Sequence, residues 1–483
     1  MPVTRLLPIF AVLCSMVLAP IAVAPAAGAR PAAVRPDVQT LSLAGARQVG
    51  DSREVTRRRT FSMVGVRWAG QRPATIEVQA RRPDGGWRSW TAIEPMASSP
   101  DGASAPAATE PLWLGASTGV RVRSDVDEGK LEVVLIDPGT STSDQQPVTT
   151  QAAGKPPVIS RAGWGADESI RCDDPIDYVD TVKAAVIHHT AGTNDYTMAE
   201  SAAIVRGIYA YHAQTLGWCD IGYNALVDKY GQIFEGAYGG LERAVRGAHT
   251  GGFNTYTFGV SMMGLYTGVA PTSAQQESVS QLVAWKLGRG YRDPRGQVTL
   301  VSGGGGTSRY PADTPVTLPV IFGHRDTNFT ECPGDDGYPR LPAIRDRVAA
   351  LVGDWTDTPV YRKWQALGGE SGPVGSPHRI ELAAAGGGLS TWFAGGWPNA
   401  AIYWSATTGA HEVHGPIAQR WADTLGAETG ILGYPVTDVL PTTAGERVTF
   451  QHGYIELNTS TGELRVWATS SRRVPRLVAR QVS

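Results

Sequence analysis

The sequence predicts a multidomain chain: an N-terminal β-sandwich-like domain, a central α/β domain with helices on a mixed sheet, and a C-terminal β-rich repeat module. Three observations predict it. Between residues 56 and 140 short runs alternate apolar and polar residues; between 157 and 353 similar runs are interrupted by stretches of helical periodicity; beyond 354 a segment recurs at an offset of about 57 residues. The length, 483 residues, suits about three domains.

In chain order, Arg5 precedes the apolar run Leu6 to Leu18, and Ala27-Gly-Ala29 supplies small residues after it. Residues 1–29 therefore read as a secretory signal peptide, too short in its apolar part to span a membrane. No transmembrane segment is expected elsewhere, and the expected destination is outside the cell. Residues 30–55 are polar and rich in Ala, Arg and Pro, which predicts a flexible lead-in. Phe61 to Trp68, Thr75 to Ala80, Gly86 to Thr91, Leu112 to Leu114, Gly119 to Val122 and Leu131 to Ile136 read as strands of the β-rich domain, residues 56–140. Residues 141–156 form a linker rich in Ser, Thr, Gln and Pro.

In the central domain, 157–353, the run Ala184 to Thr190 reads as a strand ending in histidine. Thr197-Met-Ala-Glu200 is a capping box opening a helix that Gly217 stops. Tyr223 to Val227 and Gln232 to Glu235 read as a hairpin, Thr257 to Met263 as a strand, and Ser273 as the cap of a second helix. Val298 to Val301 and Val316 to Leu318 form a protruding hairpin, and Leu341 to Leu351 a closing helix. The repeat module, 354–470, carries Tyr361 to Gly368 with Gly372 to Pro377, then Ile417 to Gly426 with Gly430 to Pro435. Each copy is too short to bury its face alone, so the pair is expected to act as one unit. Residues 471–483 are a tail.

Net charge is −2. So weak a field gives no reason to expect nucleic acid or a membrane surface as partner. Chemistry concentrates elsewhere. His188 ends one apolar run and His324 another, and Cys332 follows eight residues after His324. Two histidines and a cysteine suit one Zn²⁺ ion and leave a fourth position for water. Each histidine also has a plainer reading, as a hydrogen-bonded residue closing a strand. Cys172 and Cys219 flank the first histidine motif and suit a disulfide in an oxidising compartment. With an odd count of cysteines in the mature chain, Cys332 is then the ligand; its pairing with Cys172 or Cys219 is the alternative. His189 points to the opposite strand face from His188 and reads as structural, while His212 and Asp326 read as supports.

Several motifs arrive in order through the central domain: Arg161-Ala-Gly-Trp-Gly-Ala166, Val186-Ile-His-His-Thr190, His212 with Gly217 to Tyr223, Gly247-Ala-His249 with Asn254, Gly259 to Gly264, and Gly323-His-Arg-Asp326 through Thr330-Glu-Cys-Pro-Gly334. The domain thereby resembles the peptidoglycan-recognition and amidase-type-2 family of zinc N-acetylmuramoyl-L-alanine amidases. The resemblance implies His188, His324 and Cys332 as zinc ligands, Tyr223 and Thr330 as catalytic residues, and His249 with Asn254 as substrate contacts. The expected activity is hydrolysis of the amide between the muramic acid lactoyl group and L-alanine, with peptidoglycan as partner. The rival class is a non-catalytic, wall-anchored recognition protein. Such members often lack the cysteine, which is present here. The C-terminal copies resemble LGFP repeats, which implies a second contact with cell-wall polymer.

Overall fold

The computed structural model describes residues 32–145, 149–150, 154–353 and 357–469. The expected signal peptide and tail, and parts of the expected linker, lie outside the described residues. Among those described, no helix is long and apolar enough to cross a membrane.

The N-terminal domain is a seven-stranded antiparallel sheet built on one long strand, Ser52–Trp68, which pairs with Leu112–Ser124 on one side and Leu131–Asp137 on the other. Register shifts between Thr56 and Met63 mark bulges that bend this strand. The curled sheet closes on a core that includes Phe61, Val64, Ile76, Val78, Val120, Val133 and Leu135. Residues 32–55 differ from the lead-in expected over 30–55. Asp37–Ser42 pairs along its whole length with Leu131–Asp137, and Arg47–Val49 pairs with the start of the long strand. Most of their side chains are at least partly exposed. A strand held mainly by backbone pairing carries no apolar alternation, so its composition reads as linker.

The central sheet runs in spatial order 321–323, 184–189, 257–262, 225–227, 233–235, 158–159, 149–150. Its middle strands are parallel: Ile187 sits opposite both Val260 and Gly323. One face packs on helices Ser273–Arg289 and Leu341–Val352. The other face packs on helix Ser201–Ala210, which widens into a π turn over Tyr211–Thr215. The second helix starts one residue earlier than the sequence suggests, because Thr272 caps the Gln275 N–H. The expected hairpin is present as Gln297–Val301 paired with Pro315–Pro319.

This second face is shared with the N-terminal domain. Met63, Met96, Ala108, Trp113, Val134 and Ile136 lie in one buried cluster with Ile204, Ile208, Tyr209 and Tyr211. At Gly65 a Cβ would stand 2.5 Å from the Tyr211 ring, so only glycine allows this approach. Arg206, fully buried, donates to Asp144 and to the carbonyls of Pro138, Gly139 and Trp164. The two domains form a continuous interior.

The repeats take matching forms. Helices Pro359–Ala366 and Gly415–Leu425 each bury a tryptophan whose indole N–H donates to a glycine carbonyl, Trp364 to Gly375 and Trp421 to Gly433. Each is followed by an antiparallel sheet, and Asp438 ties the copies together through Lys363 and His411.

Candidate metal centre

The parallel register brings His188 and His324 to the carboxyl edge of the sheet, where open α/β sheets place ligands. Their rings lie 4.5 Å apart. The chain leaves the sheet at Gly323 through a tight turn in which Asp326 accepts from the Gly323 N–H and from Tyr338 Oη. Cys332 returns to the same edge because its carbonyl accepts from the Arg325 N–H and its own N–H donates to Thr330 Oγ1. One donor atom from each of His188, His324 and Cys332 lies within 4.8 Å of the other two, and Cys332 Sγ is 3.8 Å from His188 Nδ1. A tetrahedral ion with bonds of about 2.0–2.3 Å spaces its ligands by about 3.5 Å.

The donors fit a divalent cation chemically as well as geometrically. All three are buried. Burial pushes the Cys332 thiol well above its ordinary value. Burial, aided by His324 and His249, pushes His188 well below its own. The imidazoles are therefore neutral, as ligands must be, and a thiolate in this interior needs a cation beside it. Among the described residues His324 Nε2 has no hydrogen-bond partner, while Cys332 Sγ already accepts the His189 backbone N–H at 3.2 Å.

His249 stands behind the donors. Its Nδ1 is 3.0 Å from His188 Nε2, so it fixes the ring whose other nitrogen faces Cys332. Gly259 lies beneath it, where a Cβ would meet the ring at 2.4 Å. Tyr223 is buried with its ring 5.4 Å from that of His188. Burial first, then Glu110, raise its phenol well above the usual range, so it is a hydroxyl donor. Thr330 lines the same cavity. His212 accepts from the Gly222 N–H and packs on Trp218 and Tyr223, a supporting position. Cys172 and Cys219 form a disulfide, and neither lines the cavity.

Four placements depart from the sequence reading. His249, expected as a substrate contact, is fully buried behind His188 and does not line the cavity. His189 is part of the cavity wall, with Nε2 3.7 Å from Glu94, because the chain turns at once through Ala191, whose φ is 49°. Asn254 is fully buried: its Oδ1 accepts from the His249 and Thr250 N–H groups, and its Nδ2 donates to Ser99 O and Asp101. The cavity itself, with about 10 Å³ for a water, is closed by Glu94, Pro95, Ala97, Ser98 and Glu110 of the N-terminal domain. Nothing in the sequence around these residues marks them, because their role depends on how one domain docks on another.

The hairpin that carries them has a rigid base. Met96 N–H donates to Ala108 O, Glu110 N–H to Glu94 O, and Thr109 N–H to Val66 O of the long strand. Its tip, 97–107, lies across the groove: Asp101 accepts four bonds from Asn254 and Thr255, and Ser99 Oγ meets Thr307 Oγ1 at 2.9 Å.

Residues 178–335 match the N-acetylmuramoyl-L-alanine amidase family model, 22–155 a family described as Rv3811 N-terminal galactose-binding domain-like, and 374–430 the LGFP repeat. Peptidoglycan-recognition protein SC2 of Drosophila melanogaster is 34% identical over 177 residues, covering 37% of this chain and 80% of that protein. Peptidoglycan recognition protein 1 of Bos taurus is 31% identical over 185 residues, covering 38% and 80%. Among solved structures, the tracheal-cytotoxin-bound ectodomains of recognition proteins LCa and LCx align over 38% of this chain and 93% of theirs, at 25% identity and a TM-score of 0.31. With four fifths of its relatives' length matched and the ordered motifs assembled at one sheet edge, the chain belongs to the peptidoglycan-recognition and amidase-type-2 family, extended by a β domain and LGFP repeats.

Proposed function

We propose that this protein is a zinc-dependent N-acetylmuramoyl-L-alanine amidase that cuts the amide joining the muramic acid lactoyl group to L-alanine. The observation that carries the reading is the buried His188, His324 and Cys332 set with the Tyr223 hydroxyl beside it. A Zn²⁺ ion held by these three supplies Lewis acidity, polarising a carbonyl and lowering the pKa of water towards about 7. Cys332 provides the one negative charge of the set, and His249 keeps His188 turned towards it. Tyr223 donates a hydrogen bond to the amide oxygen as negative charge gathers there, worth about 3–4 kcal/mol for such a donor. Thr330 orients water; its hydroxyl is too weak an acid–base group to do more. His249 acts from behind His188 and Asn254 braces the His249 loop, so substrate meets the donors rather than these two residues when the 97–107 tip lifts.

The LGFP-type repeats hold the protein to cell-wall polymer, and the leader directs it out of the cell. A muropeptide of defined sequence, incubated with the full chain and analysed by mass spectrometry, tests the reading. Free stem peptide should appear, disappear with chelator, and return with zinc. Binding without cleavage, in the manner that the relatives' names suggest, supports the recognition reading instead.

A further inference from the structure

The geometry points to Glu110, from the N-terminal domain, as the proton carrier of the hydrolysis, so that the active site is assembled from two domains. This rests on the amidase reading and supplies what the central domain lacks. Among the cavity-lining residues that the central domain contributes there is no carboxylate; both carboxylates come from the N-terminal domain, as Glu94 and Glu110. Glu110 is 92% buried and faces the cavity that His324, Cys332, Tyr223 and Thr330 also line. Burial, then the neighbouring Glu94, raise its carboxyl well above the ordinary range, opposed by the Ala97 N–H; a divalent cation held by the facing donors would favour the carboxylate again. A carboxylate buried without a cation is costly unless its site gives it one or a proton to hold. Here it looks onto a donor set for a divalent ion across a space that fits one water.

Two features set Glu110 above Glu94. Glu94 is more than a third exposed on its side chain and leans towards His189. Glu110 is fixed from both sides, by its own N–H on Glu94 O and by Thr109, whose N–H and Oγ1 bond to Val66 and whose carbonyl accepts from Tyr211 Oη at 3.0 Å. The tip of the hairpin can lift while the base stays, since the base is bonded into the long strand and backed by the shared core.

The step balances as follows. Glu110 carboxylate takes one proton from water as the water oxygen bonds to the lactoyl carbonyl carbon. The carbon–nitrogen bond then breaks, and Glu110 returns that proton to the departing alanine nitrogen. Cleavage leaves the muramic acid as its carboxylic acid and the peptide as a free amine, with Glu110 again ionised; the acid's proton, the second from the water, then passes to the amine, giving carboxylate and ammonium with no oxidant or further reactant consumed.

The test uses the zinc-loaded full chain. Glu110→Gln should lower the single-turnover cleavage rate at least about a hundredfold, while it retains one zinc per chain and binds uncleaved muropeptide, by calorimetry, within threefold of the metal-stripped native protein. Glu110→Ala should regain part of the rate with added formate, which a merely structural role would not allow. Glu110→Gln within threefold of native activity overturns the inference. So does a loss of zinc or muropeptide binding in step with activity, or an alanine variant that formate does not restore. A native chain that binds zinc and muropeptide yet cleaves nothing overturns the amidase reading, and this inference with it; a cleaving native chain with an equally active Glu110→Gln overturns this inference alone.

Discussion

The two flanking regions dock on the central domain in different ways. The N-terminal domain merges with it: Met63, Met96, Trp113 and Ile136 share a core with Tyr209 and Tyr211, and Glu94 and Glu110 reach the metal-donor cavity. The repeat module meets it through a smaller, more polar seam. Ile380 and Leu382 pack on the central core, Tyr291 enters the first repeat's core and Tyr178 meets the His378 ring, alongside polar contacts such as Tyr291 to Glu381 and the ion pair of Arg292 with Glu370. No residue of the repeats lines the cavity. The contrast separates a domain that reaches the metal-donor cavity from one that contributes no residue to it.

The largest effect is expected where the first docking is ionic and sealed. Arg206→Met leaves Asp144 buried without its partner and should cost about 3–5 kcal/mol, read by urea unfolding. A loss below 1 kcal/mol would make the N-terminal domain a loose appendage like any other. Next, Gly65→Val drives methyls into the Tyr211 ring and should cost about 1–3 kcal/mol by overpacking. Activity should fall with it, because Tyr211 holds the carbonyl of Thr109 next to Glu110.

Asp101→Ala removes the four bonds that hold the hairpin tip on Asn254 and Thr255. It should lower stability by about 1–2 kcal/mol and raise kcat/KM by up to about tenfold, as the uncovered population grows. Unchanged kcat/KM would mean that the tip does not limit entry. The smallest effect belongs to the polar seam. Hydrogen bonds from Arg292 and Ser376 hold the Glu370 carboxyl down at about 2. Its contribution is present above the ordinary carboxylate range and lost as pH falls towards that value. Because Glu370 is nearly half exposed, Glu370→Gln should cost under about 1 kcal/mol at pH 6, and the difference from native should shrink at pH 3.

The comparison also explains what the sequence made legible. The central domain was readable because its signals are local: strand runs ending in His188 and Gly323, the capping box at Thr197, the hairpin at 225–235. Even so, His188, His324 and Cys332 met through strand register, which the apolar runs implied. The repeat was legible from its spaced tryptophans and glycines. Residues 37–49 were not, since strands held mainly by backbone pairing leave no pattern. Glu94 and Glu110 were silent for a deeper reason. Their neighbours are more than 75 residues away, and only the packing of Met63 and Gly65 on the π-turn helix brings them to the site. His189 misled because strand alternation stops at the strand's last residue.

The account depends on three side chains holding one ion. Equilibrium dialysis of the metal-stripped full chain against zinc, with Cys332→Ser alongside and muropeptide cleavage assayed on the same samples, tests it most directly. The native protein should take up one equivalent and gain activity in proportion, while Cys332→Ser should bind far more weakly and stay inactive. Full cleavage by the metal-stripped protein, or equal zinc uptake and activity in the serine variant, would contradict it.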